Sequence, residues 1–186
     1  MNTESVKNRG YFKIKGAASA FNFVFKDKIV LDIGSSTGGF TQYALDNGAK
    51  KVIAVEKGTG QMKEPLRSDP RVELYEKTDI FDFVCDPDVV LADVSFISLT
   101  KVLKYAKGHL AGKNTDFLVM LKPQFEADDK DLKDGIIKNE TIRRNVIKKF
   151  EQWLKFNDFI IINKKDNELH GKHGNIERFY HLRLAK

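Results

Sequence analysis

Three short stretches carry residue types that could do chemistry together. The first is Asp32-Ile-Gly34-Ser-Ser-Thr-Gly38-Gly39-Phe40-Thr41, an apolar run that breaks into a glycine-rich turn. Such a turn lets a ligand approach the backbone closely, and the N–H groups of a following helix face it. The turn is not a dinucleotide fingerprint, because Ser35 and Ser36 follow Gly34, and no Gly-Lys-Ser/Thr completes a P-loop. Asp32, just before the turn, would repel a pyrophosphate and suits a cationic or amine-bearing ligand. The second and third stretches, Asp93-Val-Ser-Phe-Ile-Ser98 and Leu121-Lys122-Pro-Gln-Phe-Glu126, set an Asp and a Lys at the ends of two more apolar runs. A lysine in a partly desolvated site, oriented by a carboxylate, can take or relay a proton from a hydroxyl. Glu177, beside Gly174-Asn175, is a candidate third member of that group.

Two further acids suit a nucleoside ligand. Glu56 follows the glycine turn by about 20 positions, the spacing at which a carboxylate accepts hydrogen bonds from ribose hydroxyls. Asp79, in Lys77-Thr-Asp79, is placed to accept from an adenine amino group. His109, His170, His173 and His181 have no metal-ligand spacing with Cys85 or with one another, and neither H-E-x-x-H nor G-x-S-x-G occurs. No metal is expected. Cys85 reads as a small buried or loop residue.

These groups need a scaffold that brings strand ends together. Lys28–Ile33, Lys51–Val55, Arg71–Tyr75, Val89–Ala92 and Phe117–Leu121 read as strands. Helices are expected over Tyr11–Phe25, from a Thr37 cap to about Asn47 with Gly48 as its stop, from Leu99 to Leu110, and along Glu140–Phe156. Asp158–Asn163 and Ile176–Leu184 read as two final strands, one of them antiparallel. Alternating strands and helices imply a mostly parallel, doubly wound α/β sheet of Rossmann type, with ligands at the carboxyl ends of its strands. Every candidate residue but Glu177, which opens the last strand, falls at or just beyond such an end.

Composition narrows the setting. The 186 residues suit one domain, and 41% hydrophobic with 31% charged residues excludes a disordered or fibrous chain. A single cysteine excludes a disulfide scaffold. No apolar run approaches the roughly 20 residues of a membrane span, and Met1–Tyr11 is too polar for a signal peptide. The chain is expected to be soluble and cytoplasmic. With 32 Lys+Arg against 26 Asp+Glu, the net charge of +6 favours a polyanionic partner.

Asp32–Thr41, Ala54-Val-Glu-Lys-Gly-Thr-Gly-Gln61, Asp93–Leu99, Leu121–Glu126 and Gly174-Asn-Ile-Glu177 occur in the order and spacing of a known family. From about Tyr11 to Leu184 the sequence resembles the FtsJ-like methyltransferase domain of TlyA-type proteins, often labelled hemolysins. The resemblance implies a Rossmann-like enzyme that binds S-adenosylmethionine and methylates a ribose 2′-hydroxyl of RNA, ribosomal RNA or a ribosomal subunit foremost, with no part for DNA or a membrane. It implies that Gly34, Ser36, Thr37, Gly38, Gly39 and Phe40, with Asp32 and Asp93, line the methionine and ribose end of the cofactor, Glu56 the ribose and Asp79 the adenine. Of the family's Lys-Asp-Lys-Glu tetrad, Asp93, Lys122 and Glu177 match the last three members.

Two departures stand out. The family's first lysine lies in a segment like Y-V-S-R-x-G-L-K-L. Anchored here on Tyr11 and Gly16, Ala18 takes that position, or Ser19 after a one-residue shift, so the first lysine has no counterpart. Lys13 and Lys15 are placed as RNA contacts, and either could reach in as a substitute. The second departure is the absence of an N-terminal S4-type RNA-binding domain, which leaves a single domain over residues 1–186. A cofactor-binding relative with little or no catalysis is therefore the alternative reading. Membrane lysis is a third and minor one, because the amphipathic helix Glu140–Phe156 is more simply packed on the sheet.

Overall fold

Buried β-branched and leucine residues define the strands of this computed structural model, which describes residues 7–169, 171 and 174–185. The elements run α1 (Arg9–Phe21), β1 (Ile29–Ile33), α2 (Gly39–Asp46), β2 (Lys51–Val55), β3 (Val72–Tyr75), β4 (Val89–Ala92), α3 (Leu99–His109), β5 (Asp116–Leu121), α4 (Glu140–Phe156), β6 (Phe159–Asp166) and β7 (Arg178–Leu184). The sheet has seven strands in the order β3-β2-β1-β4-β5-β7-β6. The first five strands are parallel, and β7 runs antiparallel to both neighbours. The antiparallel strand expected near the end is thus β7, inserted between β5 and β6.

Two apolar layers hold the sheet. On one face α1 and α2 pack with Met62 and Leu66 over Val30, Val52, Leu91 and Met120. On the other, α3 and α4 bury Leu103, Ala106, Ile147 and Leu154 against Leu31, Val90, Phe117 and Val119. β1, β4 and β5 are covered on both faces, which is why they read as continuous apolar runs instead of alternating ones. No helix among the described residues is long and apolar enough to cross a membrane.

Short polar side chains and one glycine set the helix starts. Asn8 caps α1, its Oδ1 accepting from the Tyr11 N–H at 3.1 Å; Ser98 caps α3 and Asn139 caps α4. The expected Thr37 cap of α2 is corrected here. Gly38 holds the cap position at φ +87°, a left-handed turn that needs no side-chain acceptor, and Thr37 Oγ1 instead accepts from Asn8 Nδ2 at 2.9 Å. That bond and Gly39 seat the first turn of α1 on α2, since a Cβ at Gly39 would collide with Asn8 Oδ1 and Tyr11 N.

Candidate active site

All of the candidate acids and Lys122 gather along one edge of the sheet, where β1, β2, β3, β4 and β5 end and β7 begins. Gly34 leaves β1 at φ +77° and directs its N–H to the Val55 carbonyl at 2.9 Å, which turns the chain sharply across the end of β2. Two adjoining cavities open along this edge and share Gly34, Ser36 and Asp93. The larger, about 800 Å³, runs over β1, β2 and β4, with Glu56 and Asp79 on its polar side and Ile80, Phe81, Val94 and Val102 on its apolar side. The smaller, about 340 Å³, lies over the glycine turn and is lined by Asp32, Thr37, Gly39 and Phe40, with Arg9 from α1.

Asp32 is wholly buried inside β1. Thr41 donates to its Oδ2 at 2.6 Å, while Oδ1 is buried without a partner. Burial pushes this carboxyl up to about 7, the Thr41 hydrogen bond pulling the other way. A buried, half-satisfied carboxyl beside a cavity is a receptor for a cationic group. Glu56 accepts from the Ser36 N–H at 2.9 Å through Oε2 and from the Gly58 N–H at 2.6 Å through Oε1, which fixes it across the glycine turn. Asp79 caps a single helical turn, accepting from the Phe81 N–H at 3.2 Å, and takes a 2.9 Å bond from the exposed Lys57. That Lys57 hydrogen bond holds the Asp79 carboxyl below the usual carboxylate range. Gly38, expected beside the cofactor, lines neither cavity; its Cα faces the side chains of Met62 and Leu66.

The second group lies over β4, β5 and β7. Lys122 Nζ is 2.6 Å from Asp93 Oδ1, an ion pair whose angle is not that of a hydrogen bond, and it donates to Ser95 Oγ at 2.8 Å. Leu121 and Arg178 are the last paired residues of β5 and β7, so Lys122 and Glu177 stand one step past them on adjacent strands. Glu177 is buried, and its partner is Lys13, with Nζ 2.5 Å from Oε2. Asn167 braces the same carboxylate: its Nδ2 donates to Oε2 at 3.3 Å and its N–H to the Glu177 carbonyl at 2.8 Å.

Of the two lysines expected to be able to reach in from the segment before β1, Lys13 is the one that meets this group. Ala18 is packed in the core among α1, α2 and the sheet, and Ser19 is exposed, so neither position faces the site. Lys13 faces it, buried on α1, and is not a surface contact; Lys15 remains exposed. Counting the family segment from Arg9 instead of Tyr11 places Lys13 four residues on, between Phe12 and Ile14, as its lysine lies between two leucines.

Further side chains of the quoted stretches brace the group. Glu126, at the end of the Leu121–Glu126 stretch, accepts from the Leu99 N–H at 2.6 Å and from Ser98 Oγ at 2.7 Å, tying that stretch to the start of α3. Phe96 is 92% exposed at φ +62°, its ring 5.2 Å from that of Phe125. Asn175 clamps the loop before α4, accepting from the Ile137 N–H and donating to the Gly135 carbonyl. Cys85 is a half-buried free thiol that burial pushes up to about 11. Tyr105 stacks on His109, and His181 pairs with Asp116 at 2.7 Å, both away from this edge; His170 and His173 lie outside the described residues.

Comparison with known proteins agrees with this architecture. The sequence model of the FtsJ-like methyltransferases matches residues 6–184. A candidate rRNA methyltransferase of Bacillus subtilis, YqxC, is 37% identical over 182 residues, 94% of this chain and 64% of its own length. The chain thus spans less than two thirds of that relative. The 16S/23S rRNA (cytidine-2′-O)-methyltransferase TlyA of Mycobacterium tuberculosis is 35% identical over 95% of this chain and 68% of its own. Among solved structures, a candidate hemolysin from Streptococcus thermophilus superposes with a TM-score of 0.92 at 33% identity, covering 100% of this chain and 69% of its own. With a family model matched over residues 6–184 and a relative 35% identical over 95% of the sequence, this chain is a member of the FtsJ-like methyltransferase family.

Proposed function

We propose that this chain transfers a methyl group from S-adenosylmethionine to a ribose 2′-hydroxyl of structured RNA, ribosomal RNA foremost, in the cytoplasm. The observation that carries this reading is the pairing of two lysines with two carboxylates on adjacent strand ends, beside a cleft that fits a nucleoside. The residues present fit the cofactor. Glu56 and Asp79 offer acceptors to a ribose and an amino group, Ile80, Phe81 and Val102 offer an apolar wall to a purine, and the unpartnered Asp32 Oδ1 offers a receptor for the methionine amine.

When bound, the cofactor supplies a methyl group activated by its positive sulfonium. The chain's own groups prepare the acceptor. Lys122 Nζ binds the 2′-hydroxyl and, in its neutral amine form after giving up a proton to solvent, takes the hydroxyl proton, and Asp93 stabilises the ammonium so formed. Lys13, held in place by Glu177, turns its ammonium toward the oxygen as it becomes anionic. Holding nucleophile and methyl in line accounts for much of the acceleration. Phe96 offers an exposed aromatic face at the mouth of the cleft, where the base of the acceptor nucleotide stacks.

The Lys13–Glu177 pair weighs against the alternative of an inactive relative, whose ground is the missing first lysine. The test is transfer of tritiated methyl from S-adenosylmethionine to 30S and 50S subunits taken from cells that lack TlyA-type methylation. The modified position is then mapped by its resistance to alkaline hydrolysis. Incorporation at a single ribose is expected. Binding of S-adenosylhomocysteine without incorporation into either subunit would overturn the reading.

A further inference from the structure

A cavity of about 480 Å³ lies between α1 and the ends of β6 and β7, and shares only Arg9 with the cofactor cleft. Its floor is apolar, with Phe179 beneath Gly16 and Ala17. Phe12, 45% exposed, and Leu169, 43% exposed, stand at its rim. Gly16 keeps it open. A Cβ built there meets nothing within 4 Å, so no packing requires a glycine in the middle of this helix. Glycine at such a position costs about 0.5–1 kcal/mol relative to alanine, a cost the fold itself does not explain.

The cavity adjoins the reactive group. Asn167 forms part of its wall and also braces Glu177, and Arg9, Lys13 and Gly16 follow one another along one stripe of α1. Its charge favours an anionic visitor. The sequence of α1 holds no acidic residue and exposes Arg9 and Lys15. The two carboxylates that line the cavity are already paired, Asp166 with Arg143 and Arg178, and Glu168 with Lys165. A cavity with an apolar floor, a half-exposed phenylalanine and an arginine at its mouth suits one nucleotide, its base on the phenylalanine and its phosphate at the arginine.

Resting on the methyltransferase reading above, we propose that this cavity receives the base of the RNA nucleotide next to the one methylated, so that Phe12 and Arg9 select the substrate strand. The test fills the cavity. Gly16→Trp starts from a Cβ position with nothing within 4 Å, and Gly108→Trp, at an equally open helical glycine on α3, is the matched control. Methyl transfer is measured at varied 30S and 50S concentrations, alongside S-adenosylhomocysteine affinity, melting temperature and pelleting with subunits.

Gly16→Trp is expected to raise KM for the subunit at least tenfold and Phe12→Ala severalfold. Cofactor affinity and melting temperature should stay at wild-type values, and Gly108→Trp should behave as wild type. An unchanged KM in Gly16→Trp, with an active wild-type protein, overturns the inference and leaves the methyltransferase reading intact. If the wild-type protein binds subunits without methylating them, that reading fails instead, and pelleting judges the cavity: loss in Gly16→Trp sustains it, equal binding overturns it. A wild-type protein that neither binds nor methylates subunits overturns both. Weakened binding to subunits but not to protein-free ribosomal RNA would mean that the cavity meets a ribosomal protein, and would also overturn the inference.

Discussion

The half of the strand-end edge over β1, β2 and β3 and the half over β4, β5 and β7 are built by different means. The first is made mostly of backbone and of acids held by backbone: Glu56 accepts two N–H groups, Asp79 accepts one, and Asp32 is fixed by Thr41 nine residues away. The second is made of side chains that hold one another across the whole chain, Lys122 with Asp93 and Lys13 with Glu177, the latter 164 residues apart. A site of the first kind loses part of its affinity with one side chain and all of it with a change of turn. A site of the second kind fails with a single side chain.

The largest expected effect breaks the second half alone. Lys122→Ala should lower methyl transfer by about 10³-fold, the range of a lost general base, while calorimetry finds S-adenosylhomocysteine affinity unchanged. A parallel fall in affinity would mean that the two halves are not separate. Next comes the distant pair. Lys13→Ala strands the buried Glu177 carboxylate and should cost about 3–5 kcal/mol of stability in denaturant melts, with activity down about 10²-fold. The double variant Lys13→Met/Glu177→Leu should recover most of the stability and none of the activity. Ala18→Lys should give no gain in turnover, because that side chain points into the α1–α2 core.

That last contrast marks where the sequence stops being readable. The first half was legible because each of its parts is a local pattern: a run of apolar residues, a glycine turn, an acid one strand later. The strands over β1, β2, β4 and β5 and the helix Glu140–Phe156 were placed to within a residue for the same reason, since burial on both faces or a strong 3.6 period leaves little choice of register. Anchors at Tyr11 and Gly16 put the family's lysine position at Ala18 and leave Lys13 and Lys15 equal candidates, because the contact that separates them lies at the far end of the chain. Glu126 escaped as a cap because it serves a helix that begins 27 residues earlier. Asn167 and Phe96 owe their places to burial and exposure, which no local pattern records.

A smaller effect sharpens the first half. The Asp32 carboxyl is raised to about 7 in the folded protein by burial, so folding favours its protonated form. Its contribution to stability is full below the unfolded value near 4 and is lost as pH rises to about 7. Asp32→Asn should therefore flatten the decline of melting temperature between pH 4 and 7, and melt no lower than the wild type at pH 8. The same variant should weaken S-adenosylmethionine by about tenfold through loss of a charged acceptor. Wild-type binding at pH 6 should release a proton, read as a buffer-dependent enthalpy; a buffer-independent enthalpy would remove Asp32 from the amine site. The smallest effect is at Lys57, which is exposed and competes for Asp79. Lys57→Ala should tighten the cofactor by roughly threefold or less.

The insertion of β7 between β5 and β6 also sets a schedule for the newborn chain. Five parallel strands and the whole cofactor cleft can assemble while the polypeptide is still being made, because their contacts are closed by residue 121. The acceptor group cannot, since its carboxylate arrives with residue 177 and meets a lysine on the first helix. Until then β5 presents an unpaired edge, the form in which a sheet is most exposed to wrong partners. On the proposed function, maturation therefore has an order: the cleft for the cofactor closes first, and the Lys13–Glu177 pair completes the acceptor group only when the last strand docks.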